Sequence, residues 1–292
     1  MQWKRDYGLT MRIWLTLFLL FIVYLVFLTV LSAFGVGLIW LLLFVVGWGF
    51  IQFYFCDKIV LWSTGSRVIE EDEYPEIHRM VERLCQEADL PKPRIAIMQS
   101  PVPNAFATGK GPKSAVVAVT DSILRTLSPK ELEAVLAHEL SHVKNRDVLT
   151  LTIASFIAML ASFVFQWGFF LTLGNRREGS LPFIVVWVVA IVVWVVSMLL
   201  ISTLSRYREF AADRGSAYIT KNPRALMSAL VRISGRMDSL PPEIKEKVAG
   251  ANAFYIIPAL SGRSLMELFS THPSLERRIA ALEQVETEIK GY

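Results

Sequence analysis

The stretch AVLAHELSHV, residues 134–143, sets two histidines four positions apart with a glutamate directly after the first. On an α-helix each residue advances about 100°, so His138 and His142 lie on nearly the same face, one turn apart. One metal ion can bridge them. Glu139 is offset, so its carboxylate can reach a water on the metal rather than the metal itself, the arrangement a zinc peptidase needs. The bare pattern also occurs on helices whose histidines are only solvated or packed, so its worth depends on context. Ser128-Pro129-Lys130-Glu131 reads as a helix start, with Ser128 as N-cap, Pro129 at the first helical position and Glu131 completing a capping box. Leu132, Val135, Leu136, Leu140 and Val143 then recur at helical spacing. The motif uses two of the chain's 4 histidines.

The rest of the chain places that helix in a membrane protein. Of 292 residues, 53% are hydrophobic, and the mean hydropathy is +0.45. Soluble domains are usually about 45–50% apolar. The net charge of +4 is modest, and no basic run with interleaved aromatics points to nucleic acid. The 2 cysteines, Cys56 and Cys85, lack metal-ligand spacing and read as free, buried thiols in a reducing compartment rather than as a disulfide.

Four apolar runs predict about four transmembrane helices. Ile13 to Ala33 is too long for a cleaved signal peptide and is followed at once by Val36 to Phe55, which makes a hairpin around an Ala-Phe-Gly turn. Thr150 to Leu173 continues directly from the motif helix, and Leu181 to Leu204 follows a polar loop. Gln166 and several hydroxyl residues make the third run the least certain to cross, with a re-entrant helix as the alternative. Lys4, Arg5, Arg12, Lys58, Arg67, Arg206, Arg208 and Arg214 flank the runs on one side, which puts the N-terminus and the polar mass in the cytoplasm; Arg176 and Arg177 weaken this only slightly. The expected organisation is a hairpin over 1–56, a first part of the polar domain over 57–149, a second hairpin over 150–204 and the remaining polar part over 205–292. Within the polar parts, Glu73 to Asp89 reads as a helix with His78 as a surface or packing residue. Arg94 to Met98 and Ala115 to Thr120 read as short strands, and Asn222-Pro223 opens another helix.

Zinc takes three protein ligands in catalytic sites and leaves the fourth position for water. The best candidate for the third is Glu209, in Arg208-Glu209-Phe210-Ala211-Ala212-Asp213, which extends the fourth run. An antiparallel hairpin of runs three and four would bring Glu209 back level with the histidines. Asp213 shares its helix face and can accept a hydrogen bond from the far nitrogen of a ligand histidine. The alternative for both carboxylates is pairing with Arg206, Arg208 or Arg214. Asp147, after the motif, could cap or brace the helix.

Together these residues resemble the HtpX family of membrane zinc metalloproteases, relatives of the CAAX prenyl proteases. The likeness runs from the N-terminal hairpin through Asn104-Ala105-Phe106-Ala107-Thr108-Gly109, HELSH and Arg208 to Asp213, to Thr271-His272-Pro273. It implies a membrane protein, mainly α, with a cytoplasmic α+β zincin-like (gluzincin) metalloprotease domain. It implies one Zn2+ per chain, removal of misfolded or damaged membrane proteins, and residence in the plasma or inner membrane. It also implies that His272 and Arg278 reach the active site to assist the oxyanion. The plainer alternative is that His272 caps the helix from Ser274 to Gln284 while Arg277 and Arg278 are solvated. In the family, the Asn104 to Gly109 segment lies at a strand edge beside the metal, which makes Asn104, Ala105 and Phe106 candidates for backbone pairing with an extended substrate. A structural hairpin with Gly109 in its turn is the competing reading.

The expected partners are therefore unfolded or membrane protein substrates and the lipid bilayer, without nucleic acid; an oligomer is possible. Two other functions compete with general proteolysis: a prenyl-protein (CAAX-type) protease, and a non-catalytic scaffold with a structural zinc. A channel is disfavoured because few ionisable residues lie in the runs.

Overall fold

A computed structural model describes residues 6–33, 38–174, 181–241, 243–244 and 270–291. Lys4, Arg5, Phe34, Gly35, Arg176 and Arg177 lie outside the described residues. The chain folds as two compact units. One is built from Phe55–Leu149 and Arg206–Tyr292, the other from Asp6–Tyr54 and Thr150–Ser205.

The second unit is helical: α1 (Tyr7–Ala33), α2 (Leu38–Tyr54) and most of α7 (Asp147–Gly174) and α8 (Leu181–Thr220). Phe27, Leu31, Leu160, Ala161, Ala190 and Val193 form its buried cluster. Trp187 Nε1 donates to the Phe165 carbonyl at 2.9 Å. A Cβ on Gly49 would overlap the Phe156 ring, so a larger residue there would have to push that ring of α7 aside. Trp14, Phe18, Phe21, Leu25, Ile153, Val188 and Val192 point outward. So much exposed apolar surface suits a lipid environment. Among the described residues, three helices are long and apolar enough to cross a membrane. The third run is one of them. The second run is the exception to the expected four: α2 has 17 residues, at the lower limit for a span.

The first unit is α+β. A four-stranded sheet runs in the order β1-β2-β4-β3, with β1 at Arg67–Val68, β2 at Arg94–Met98, β3 at Ala105–Thr108 and β4 at Val116–Thr120. β2 and β4 are parallel, and β3 pairs antiparallel with β4 at the sheet's edge. Alternation assigns the faces. Ile95, Ile97, Val117, Val119 and Ala105 enter the main core with α4 (Pro75–Ala88), α6 (Pro129–Asn145), α9 (Pro223–Asp238) and α10 (Leu275–Lys290). Ala96, Phe106, Val116 and Ala118 face the other way, onto Val60 and Leu61 of α3 (Cys56–Thr64). The short α5 (Asp121–Thr126) starts from Thr120, whose hydroxyl accepts from the Ile123 N–H. His78 is a buried packing residue of α4. Both cysteines are free; Cys85 is buried, while Cys56 is partly exposed.

The helix α6 is held at its start and in its body. Glu131 accepts from the Ser128 N–H at 2.8 Å, completing the capping box. Its other oxygen meets Ser228 Oγ at 2.5 Å and Arg232 Nε at 3.1 Å. Val135, Leu136 and Leu140 are fully buried, each worth about 1.5–3 kcal/mol. These hydrogen bonds hold the Glu131 carboxyl below its ordinary value against the opposing effect of burial. Its folded pKa is depressed, so the stability it adds is present above about pH 4.3 and lost as pH falls through the folded value. Glu131→Ala is expected to cost about 1–2 kcal/mol at pH 7 and less near pH 3, read by thermal unfolding.

α6 does not run directly into the apolar helix. Arg146 adopts a left-handed conformation, φ 56°, ψ 43°, and ends it. The next helix starts at Asp147.

Candidate metal centre

Four helices supply the site. His138, Glu139 and His142 come from α6, Asp147 begins α7, Arg208, Glu209 and Asp213 lie on α8, and Arg278 lies on α10. His138, His142 and Glu209 each offer one ligand atom, all within 4.8 Å of one another. The two Nε2 atoms are 3.1 Å apart. Glu209 Oε1 lies 3.4 Å from His142 Nε2, and Oε2 lies 3.7 Å from His138 Nε2. A tetrahedral ion with bonds near 2.0–2.2 Å holds its ligands about 3.3–3.6 Å apart. The residues present therefore fit a zinc-sized ion.

The ring tautomers point the same way. Asp213 Oδ1 stands 2.9 Å from His138 Nδ1, and Asp147 Oδ2 stands 2.7 Å from His142 Nδ1. A carboxylate at that distance favours the proton on Nδ1. Both Nε2 lone pairs then converge on the same point, a repulsive arrangement that a cation relieves. Each carboxylate is itself held by an arginine. Arg278 Nε and Nη2 donate to Asp213 at 2.8 and 2.6 Å. Arg208 contacts the other oxygen of Asp147, and its Nη2 donates to the Asn145 carbonyl at 2.9 Å.

Burial depresses the His138 pKa, only partly opposed by Asp213. This favours the neutral imidazole that a metal needs. Burial also acts downward on His142, but the Glu209 hydrogen bond and charge outweigh it and raise the value. Burial pushes the Glu139 carboxyl up to about 8, against the opposing charges of His142 and Arg278 and a hydrogen bond from the Ala107 backbone. A general base works best near the operating pH, and a divalent cation beside Glu139 would draw it further down.

The sequence-predicted residues do not all arrive in the expected way. His272 is buried, with Nδ1 3.2 Å from Glu209 Oε2, while Ser274 is the residue that caps α10. Arg278 is 1% exposed and reaches Glu209 Oε2 with Nη1 at 3.3 Å, whereas Arg277 is exposed. Opposing charges on Asp213 and Glu209 raise the Arg278 pKa despite burial. Asn104, Ala105 and Phe106 are buried, with Ala105 in the main core and Phe106 packed against α3. Their side chains are therefore packed inside the unit, and the backbones of Asn104 and Phe106 are turned toward β4. The Thr120 N–H bonds the Asn104 carbonyl at 2.9 Å. Antiparallel alternation then turns the backbone groups of Ala105 and Ala107 toward the sheet's edge.

Sequence reasoning undervalued Asp147 and read Arg208 only as a charge pair. The available signal was an acid five positions past His142 and an arginine beside Glu209. Asp147→Asn is expected to weaken zinc binding about 10- to 100-fold, read by chelator competition on the folded protein.

The chain matches peptidase family M48 over residues 71–286. It is 56% identical to protease HtpX homolog 2 of Methanosarcina acetivorans over 290 residues, 99% of each chain. It is 53% identical to the protease HtpX homolog of Moorella thermoacetica, over 98% of this chain and 97% of that one. Among solved structures it is similar to S. mikatae Ste24p, with a TM-score of 0.56 at 19% identity, over 94% of this chain and 67% of that chain. The helix-borne His-Glu-x-x-His, the carboxylate on α8 and this likeness along nearly the whole length agree: the chain belongs to peptidase family M48, in its HtpX branch.

Proposed function

We propose that this chain is a membrane-bound zinc endopeptidase that cleaves misfolded or damaged membrane proteins, with its catalytic unit on the cytoplasmic side of a plasma or inner membrane. The observation that carries the reading is the convergence of His138 Nε2, His142 Nε2 and a Glu209 oxygen on one point, with a carboxylate behind each imidazole. A structural zinc is normally closed by four protein ligands, whereas three leave a place for water.

Zinc held by His138, His142 and Glu209 would lower the pKa of its water to about 7 and polarise the scissile carbonyl. The Glu139 carboxylate takes the proton of the attacking water and returns it to the leaving amine. The Ala107 N–H orients that carboxylate. Asp213 and Asp147 keep the Nδ1 protons in place, so both Nε2 atoms face the metal. His272, whose Nδ1 lies 3.2 Å from Glu209, would donate to the oxyanion. Arg278 is engaged by Asp213 and Glu209, so it acts as a positioning residue. The edge strand β3 accepts an extended, unfolded substrate by main-chain pairing, which reads few side chains and suits a quality-control enzyme.

The test is zinc content measured beside cleavage of an unfolded protein, for wild type, Glu139→Gln and Glu209→Ala. The reading requires that wild type hold one zinc and cleave. A zinc-loaded wild type inert toward unfolded and membrane proteins would sink it.

A further inference from the structure

The short helix α3 has two unlike faces. Asp57, Val60, Leu61 and Thr64 follow helical spacing and form the inner one. Val60 and Leu61 pack on the sheet cluster of Ala96, Phe106, Val116 and Ala118, and Asp57 Oδ2 accepts from Arg94 Nη2 at 2.8 Å. Phe55, Lys58, Ile59 and Trp62 repeat the same spacing on the outer face. Trp62 is 85% exposed, Ile59 48% and Phe55 39%, and Lys58 Nζ stands 5.8 Å from the centre of the Phe55 ring. We propose that this outer face lies in the headgroup interface of the bilayer and docks the metal-bearing unit onto lipid.

The position of α3 in the chain favours that occupant. Only Phe55 separates the end of α2 at Tyr54 from the start of α3 at Cys56, so the two ends are within about 7 Å of each other. The 17 residues of α2 rise about 26 Å, less than the roughly 30 Å of a hydrocarbon core. With α2 in the bilayer, α3 therefore begins at headgroup depth. Its chemistry fits that depth. Tryptophan with a polar edge, two apolar neighbours and a lysine whose stem can bend toward water are the side chains that settle at a membrane interface. Between Asp6 and Glu70 the only acid is Asp57, which is buried on the inner face. The outer face thus meets anionic headgroups with a cation and no carboxylate. A second copy of the chain fits less well: a stable protein interface buries about 1,200–2,000 Å², more than one stripe of a nine-residue helix supplies. Docking there would also hold β3 close to the lipid, because Phe106 of β3 belongs to the cluster under α3.

The experiment uses the full chain in vesicles of phosphatidylethanolamine and phosphatidylglycerol, and it needs no peptidase activity. Spin labels are placed on Trp62→Cys, Ile59→Cys and, as the water-exposed reference on α4, Glu87→Cys, each in a Cys56→Ser, Cys85→Ala background. Labels at 59 and 62 should collide with oxygen more often, and with a water-soluble nickel chelate several-fold less often, than the label at 87. The expected depth is about 5–10 Å into the boundary between headgroups and acyl chains. Nickel collisions equal to those at 87 would overturn the proposal by leaving the face in water. Shielding from both reagents would overturn it in favour of a covering protein. The chain with both cysteines intact gives an independent reading. Phospholipid brominated near the ester end of its acyl chains should quench more tryptophan fluorescence in wild type than in Trp62→Tyr, and equal quenching would overturn the proposal as well.

Discussion

Glu139→Gln is expected to lower kcat for an unfolded substrate by about a hundred- to ten-thousand-fold while the chain keeps its zinc. The substitution preserves shape and volume and removes only the ability to take up and return a proton. Glu139 is not one of the three groups whose ligand atoms converge, so the metal should stay. The carboxamide also carries no charge in a position where burial already disfavours one, so folding should be undisturbed. Metal analysis, a melting curve and single-turnover cleavage on one preparation check all three statements. Normal cleavage by this variant would remove Glu139 from the mechanism.

Glu209→Ala should lose both zinc and activity. The expected fall in zinc affinity exceeds the 10- to 100-fold of an outer carboxylate such as Asp147, because a direct ligand is removed. The loss spreads to the surrounding helices. His272 Nδ1 lies 3.2 Å and Arg278 Nη1 3.3 Å from the Glu209 carboxylate. Truncation leaves the buried guanidinium with Asp213 as its remaining carboxylate among the described contacts. Breaking a buried pair in this way costs about 3–5 kcal/mol. Glu209→Gln, which keeps the shape and loses the charge, separates the two effects: it should lose zinc with a smaller fall in melting temperature. Zinc at the wild-type level in Glu209→Ala would exclude Glu209 as a ligand.

Much of the site was legible because its signals are local. Ser128, Pro129 and Glu131 announce α6, and the i, i+4 spacing aligns His138 with His142 and Glu209 with Asp213. The β2 strand is read correctly from Arg94 to Met98. The helix break at Arg146 was not legible. A non-glycine residue in the left-handed region has no composition signal, and the apolar pattern on both sides argues for one continuous helix. That break gives Asp147 its place at the start of a new helix, with its carboxylate on His142. β3 was hard to read for a different reason: both faces of Ala105–Thr108 are covered, so its residues lack a simple apolar-polar alternation.

The sequence by itself determined the helix that carries the motif, the apolar runs, the two carboxylates four residues apart on α8, and the family. Each depends on spacing within a few turns or on likeness along the whole chain. Only the tertiary structure decided which carboxylate backs which imidazole, that Arg278 is buried between Asp213 and Glu209, and that the edge strand presents backbone instead of side chains. The physical reason is that these partners come from different helices, α6, α7, α8 and α10. Their charges are tolerable in the interior only as a mutually neutralising set, and no segment holds that set alone.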